Sequence, residues 1–502
     1  MSLPKVSVLY ANGNLLAQIA VLDGIAGIVG TGYTPALLGT HLVMYSLAEA
    51  EELGITEDDE PSAHRHIKEF YAEVAGSQEL HVMLVPETMT MAEMLDNTEE
   101  AGAKKLLADA EGKIRLLAVY RTPPDGYNGG TGMFDDDVAD ALITSKAFCQ
   151  ARLAELAPVR VLIEGRVQNF EVLAEGSLLI TAAGTAGNTI TLKVDKNDGL
   201  GLITLGAYTV QTSDTTALVA TGLRAAMDAL TGTTNFSSDG TGSTVGIVPP
   251  EGSGAAANDW TLSIVVTGTV NGTLTQLAGG SYYVTNTLTP STSTNGFAQV
   301  LAGGTLSDGS ASVGVALGRY VKYPAHIKAG KVKNGALSIT DCFIGDEYIG
   351  SKDGERSIST ARISALHGQG FLSFMKHPNK AGYYFGIDRM ASVDDYRLMV
   401  YGRLVDKAAI IAAAVYIEEL ESEVEIDDDG KIDSLALVSL ETAIKKQINL
   451  LMPGQISKLI VDIDPDQNLI ESNTLTIQLR IKPLSYPSFI NVDLGMAAPT
   501  AS

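Results

Sequence analysis

Cysteine is nearly missing from this chain. Cys149 and Cys342 are the only two in 502 residues, too few for a disulfide framework or a cysteine-built zinc site, and that usage fits assembly in a reducing compartment. Histidine is scarce as well, seven in all, with none of the spacing that marks a Ser/His/Asp or Cys/His constellation, so no catalytic residue is nominated. Basic residues are outnumbered, 35 Lys and Arg against 59 Asp and Glu, for a formal charge of −24. That balance repels phosphate backbones and anionic bilayers, which argues against nucleic acid and membrane surfaces and for protein partners. No apolar run approaches the roughly 20 residues of a membrane span. The longest, "AAIIAAAVYI" (408–417), is followed at once by Glu418, Glu419 and Glu421 and reads as a helix of a folded domain. "MSLPKVSVLYANGN" lacks a continuous apolar core, so no export signal is expected.

What is present is ordinary globular composition, 45% hydrophobic and 19% charged, on a chain longer than the roughly 250–300 residues one core supports, so two or more domains are expected. "IAGIVG" (25–30), "LHVMLV" (80–85), "IRLLAVY" (114–120) and "VRVLIEG" (159–165) are apolar runs of strand length, suited to burial on both faces. Helical stretches lie between them, including one with Ser46 and Glu49 as a capping box, and "SAHRHIKEFYAEVAG" (62–76), read from a Ser cap to a Gly stop. Alternation of this kind implies an α/β sheet, parallel or mixed. From Gly176 to Thr305 threonine supplies 26 of 130 residues and charge thins out, which sets off a β-rich domain with one helix, "TTALVATGLRAAMDAL" (215–230), and a weak internal echo of "GTAGNTITLKV" in "GAAANDWTLSI". After Ser312 a helix near 313–323, strands around "GALSITDCFIG", a hairpin over 371–390 and two long helices, about 394–420 and 434–451, precede three closing strands.

The motifs that invite chemistry have plainer readings. "GIVGTGY" (27–33) lacks the glycine order of a dinucleotide loop and the Gly-Lys-Ser/Thr of a P-loop, so a tight turn with close backbone packing is expected. "HRH" (64–66) places imidazoles at i and i+2, on different helix faces, and suggests a solvated surface. "EIDDDGK" (425–431) with Gly430 at the sixth position of a calcium loop puts Ala436 where the bidentate Glu must sit, and "DIDPDQN" (462–468) has no Gly in the equivalent place, so both read as acidic turns. "FDDD" (134–137) offers carboxylates to the helix that follows. No metal or cofactor is implied.

The stretch "GIAGIVGTGYTPALLGTHLVMYSLAEAEELGI" followed by "HIKEFYAEVAGSQELHVMLVP" resembles the N-terminal signature of contractile-tail sheath proteins: a Gly-rich strand, a Ser-led helix, a helix holding an aromatic pair (Phe70, Tyr71) and a β-run ending in Val. The order of two long helices and then strands closing on "IKPLSYPSFINVDLGM" is similar to that family's terminal region, and "TTALVATGLRAAMDAL" before "GSGAAANDWTL" looks like a module recurring in myovirus tail proteins. The resemblance implies an α/β (α+β) multi-domain sheath core with extended terminal β arms and a β-rich inserted domain. The boundaries would be an arm at 1–20, a sheath domain over 21–174, an outward-facing insertion at 175–310, a C-terminal core over 311–487 and an arm at 488–502.

The same resemblance implies a non-enzymatic structural subunit that polymerises as a helical stack of rings, hexameric by family habit, around an inner tail tube protein, with baseplate and terminator proteins at its ends. It would sit in a virion tail or an injection particle assembled in a bacterial cytoplasm, and would contract to drive the tube through a cell envelope. Val6, Val8 and Tyr10, and Ile490, Val492 and Leu494 after Phe489, alternate as strands would, and with Phe489 they become the subunit-linking arms. Lys445 and Lys446 on "SLETAIKKQINLL" (439–451) become tube-facing residues. A β-decorated adhesin and an α/β enzyme with an unrecognised site are the alternatives.

Overall fold

A computed structural model describes residues 25–169, 171–250, 253–281, 284–420, 422–426, 431–467 and 474–492. The chain divides into two compact units, one of Met1–Gly129, Asp135–Arg166 and Leu288–Ser502, the other of Gly130–Phe134 and Val167–Thr287. The first begins with β1 (Ala26–Gly32), β2 (His41–Met44), α1 (Leu47–Glu52), α2 (Pro61–Val74), β3 (Leu80–Pro86), α3 (Met91–Met94), α4 (Ala103–Asp109), β4 (Leu116–Tyr120), α5 (Asp136–Ala154) and β5 (Arg160–Gly165). The second holds β6 (Glu175–Ala182), β7 (Thr189–Asp195), β8 (Leu202–Thr209), α6 (Thr216–Asp228), α7 (Thr231–Thr234), β9 (Ser237–Asp239), β10 (Thr244–Val248), β11 (Thr261–Val266) and β12 (Asn271–Ala278). The first then resumes with β13 (Ala298–Ala302), α8 (Val313–Val321), β14 (Phe343–Ile344), β15 (Glu347–Tyr348), α9 (Thr360–Gln369), β16 (Leu372–Met375) and β17 (Tyr384–Phe385). It closes with α10 (Met399–Tyr416), α11 (Ser434–Leu451), β18 (Ile456–Ile463) and β19 (Ile477–Pro483).

The first unit is built on an eight-stranded sheet in the order β17-β16-β13-β5-β4-β1-β3-β2. Its six inner strands are parallel, and β2 and β17 run antiparallel at the edges. The four apolar runs legible in the sequence are β1, β3, β4 and β5, buried along nearly their whole length, as strands covered on both faces must be. Against this sheet α2 and α8 pack closely. A Cβ on Gly314 would stand 2.0 Å from the His66 carbonyl oxygen and one on Gly318 would stand 2.8 Å from that of Phe70, so these two glycines let the helices approach. The second unit is a β-sandwich-like pair of antiparallel sheets, β12-β6-β10-β9 and β11-β7-β8. Val219, Leu223 and Met227 of α6 share its core with Leu178, Leu192 and Leu262. The two echoed segments supply β7 and β11, which pair with one another.

Several expectations need correction. The composition break at 310 is not where the inserted unit ends. β13 at 298–302 is already a central strand of the large sheet, between β5 and β16, and its short run "AQVLA" is masked by Thr/Gly-rich flanks. Helix α2 starts at Pro61 with Glu60 at the N-cap, and the residue in the left-handed region at its end is Ala75 (φ 56°), not the following glycine. His64 and His66 do not face solvent: both are buried, His64 Nε2 donating to the Glu51 carboxylate at 3.0 Å and His66 lying 4.3 Å from the Tyr120 ring. "GIVGTG" is strand β1, not a turn. Within "GALSITDCFIG" (335–345) only the two residues of β14 are strand, paired with the two residues of β15 that follow. The acidic stretch 425–431 lies partly outside the described residues.

Candidate functional site

Strands β18 and β19 form a two-stranded antiparallel hairpin, paired from Ile463 with Ile477 to Ile456 with Pro483. Neither pairs with any other described strand. The alternation dictated by the strand period splits the hairpin cleanly. Leu459, Val461, Ile463, Ile477, Leu479 and Ile481 pack on a core made with Leu404 and Ile411 of α10 and Leu440, Ile444 and Ile448 of α11. Lys458, Ile460, Asp462, Gln478, Arg480 and Lys482 face solvent. The hairpin is thus glued to the body by one face while, among the described residues, no strand pairs with either backbone edge, an arrangement that templates further strands unless something covers it.

The chain leaves this hairpin through Pro483 and is rooted once more before it departs. The Tyr486 hydroxyl donates to the His326 carbonyl at 2.7 Å, its ring lies 6.1 Å from that of Tyr401, and Lys328 Nζ stands 5.6 Å from its centroid. Burial pushes the Tyr486 hydroxyl up to about 12, so it remains a donor at neutral pH. Beyond it Phe489, Ile490 and Val492 are 83%, 78% and 77% exposed. The strand expected at 488–494 is not formed over its described residues, 488–492; a period-2 apolar run has no ladder without a partner edge. Val6, Val8, Tyr10 and Leu494 lie outside the described residues.

Lys445 and Lys446 sit on α11, and the structure separates them. Lys445 is half-buried and pairs with Glu441 one turn back, whereas Lys446 is exposed. The exposed surface of α11 also carries Leu435, Val438 and Leu450, an apolar content that the two lysines had overshadowed in the sequence.

Ligands of parallel sheets bind at the carboxyl ends of strands where the connections reverse direction. There, beyond β1 and β4, buried carboxylates take the backbone donors. Glu60 accepts from Tyr33 N at 2.9 and 3.0 Å and from Thr34 N at 2.6 Å. Glu164 accepts from Arg121 N at 2.8 Å and Ala311 N at 2.9 Å. Asp137 accepts from Met91 N at 2.8 Å and Ala92 N at 3.2 Å, with Arg121 Nη1 3.4 Å away; burial raises its carboxyl above the usual range, against the pull of those donors. Of the "FDDD" carboxylates it is Asp135 that caps α5, through Asp137 N. Among the described residues no group of three or more His, Cys, Asp or Glu is placed to hold a metal ion, and no helix is long and apolar enough to cross a membrane. Glu60 and Tyr486 had been passed over in the sequence. Their only signals were a Glu-Pro at a helix start and a Tyr between two prolines.

The model of the family described as DUF2586, N-terminal domain, matches residues 3–235 and 256–389, more than half of the sequence. The chain belongs to the DUF2586 family. No curated protein matches it. Among solved structures, this DUF2586 chain is similar to a chain of the anti-feeding prophage baseplate, with a TM-score of 0.48 and 12% identity over 99% of this chain and 100% of that one. It is also similar to the helical sheath of the same particle in its contracted state, with a TM-score of 0.45 and 12% identity over 99% of each chain. A third similarity is to the contracted PVC sheath complex of an extracellular contractile injection system, with a TM-score of 0.45 and 11% identity over 99% of this chain and 98% of that one.

Proposed function

We propose that this chain is the structural subunit of a contractile sheath, polymerising helically around an inner tube and linked to its neighbours by donated strands. The observation that carries this reading is the conjunction, on one body, of a hairpin whose two edges pair with no other described strand and an apolar segment at 489–492 that stands exposed and pairs with no described strand. An extended arm laid on such an edge satisfies its main-chain groups while alternate side chains fill pockets. Because donor and acceptor are different surfaces of the same chain, the contact is heterologous and propagates instead of closing on itself. Phe489, Ile490, Val492 and Leu494 are the donated residues, with Val6, Val8 and Tyr10 their N-terminal counterparts. Hexameric rings, an outward-facing inserted unit, and baseplate and terminator proteins at the ends complete the proposal, within a tail or injection particle. Negative-stain images of the purified full chain test it: striated cylinders are expected, and dispersed particles at every protein and salt concentration would contradict it.

The surface of α11 is the proposed tube contact. With Lys445 held by Glu441, Lys446 is the lysine able to reach an acidic tube. Lys446→Glu is expected to leave folding unchanged and to weaken co-assembly on purified tubes by about 1 kcal/mol or less per contact, the range of an exposed ion pair, more at low salt than at high. Lys445→Glu should have the smaller effect. Equal co-assembly of all variants across a salt series removes both lysines from that interface.

A further inference from the structure

The glycine-rich run that opens the large sheet looks like a phosphate loop, and nothing in the proposed function uses it. Its geometry explains the likeness. A Cβ on Gly30 would lie 2.0 Å from the Tyr120 ring, and one on Gly32 would lie 2.9 Å from Leu84 and 3.0 Å from Glu60 Oε2. Gly32 therefore leaves room for a carboxylate to approach the backbone, as a glycine does for a phosphate in dinucleotide-binding sheets. The next two residues turn their N–H groups toward that space, and successive amides pointing into one concavity form an anion-binding nest. In this chain the anion is Glu60 itself. It is fully buried, both its oxygens face Tyr33 N and one also faces Thr34 N. It holds the N-cap position of α2 without capping that helix, so its carboxylate serves the nest alone. Tyr33, which supplies one of the two donors, is itself 40% exposed.

We infer that the end of β1 is a carboxylate-binding nest for which Glu60 is a built-in ligand, and that a small free monocarboxylate takes its place when the side chain is shortened. The occupancy leaves these two donors unavailable to a phosphate in the intact chain, since both already bond a carboxylate tethered to the same chain.

Chemical rescue tests this. Glu60→Ala is expected to melt several degrees below the full wild-type chain, and sodium formate or acetate should restore part of that loss saturably. Sodium chloride at the same ionic strength should not, and the wild-type chain should not respond. Formate acting no better than chloride on the variant, or equally on both proteins, would overturn the assignment. Where Glu60→Ala does not fold, Glu60→Asp keeps the charge but withdraws it by one methylene. Amide exchange at Tyr33 and Thr34 should then quicken and slow again with formate, and unchanged exchange would overturn the assignment equally.

Discussion

Asp406→Ala is expected to destabilise the first unit by about 3–5 kcal/mol, the cost of leaving one member of a buried ion pair without its partner. Asp406 on α10 receives Arg160 Nε and Nη2 of β5 at 2.6 Å each, and the pair is almost wholly buried, with side chains 3% and 9% exposed. A third guanidinium nitrogen donates to the Gly296 carbonyl, and Phe297 lies 4.7 Å below the guanidinium carbon. A Cβ on Gly402 would stand 2.7 Å from that carbon, so the glycine lets α10 settle on the charge. The fork therefore fastens α10, which packs with the hairpin and α11 in one core, to the large sheet. Replacing both partners by Met should recover most of the loss, because the desolvation cost then disappears with the pair. Denaturation midpoints of the single and double variants check this; a double variant as unstable as the sum of the two singles would contradict it.

Asp388→Asn is expected to remove a pH dependence from the same unit. Asp388 is fully buried, neither carboxylate oxygen has a hydrogen-bond partner among the described residues, and Lys328 Nζ stands 3.5 Å away. Burial raises its carboxyl from 3.8 to about 6, against the opposing pull of Lys328 and Arg403. The native state thus holds the proton more tightly than the unfolded chain does. Its contribution is complete below about pH 4, falls as pH rises to about 6, and is gone above that; the difference is about 3 kcal/mol. The wild-type chain should therefore lose stability between pH 4 and 6 from this group, and the Asn variant should lack that component, standing above wild type at pH 8 by up to this amount less the cost of burying an unbonded amide. Melting curves across pH 4–8 decide it, and parallel profiles for the two proteins would refute it.

Much of the fold could be read from the sequence where burial is two-sided or strictly periodic. β1, β3, β4 and β5 stood out because inner parallel strands must be apolar throughout, and α10, α11 and the β18–β19 hairpin because each keeps its period over two turns or more. β13 did not, since five residues inside a Thr/Gly-rich stretch carry too little pattern. His64 and His66 were misplaced because helical spacing tells which face a residue takes, not whether a second helix, here α8 with its glycines, covers that face. The Glu60 nest was invisible: its donors are backbone groups and its ligand lies 26 and 27 residues along the chain. At 488–492 the alternation was real, but a strand needs an edge to pair with, and those residues pair with none among the described residues.

Deletion of residues 488–502 puts the central claim to its most direct test, read by sedimentation velocity and negative stain beside the full chain. The tail beyond Tyr486 contributes no core residue within its described part, so the truncated protein should fold and melt as the full chain does, sediment as a monomer and form no cylinders. Truncated protein that still assembles into cylinders of normal length would contradict the strand-donation account.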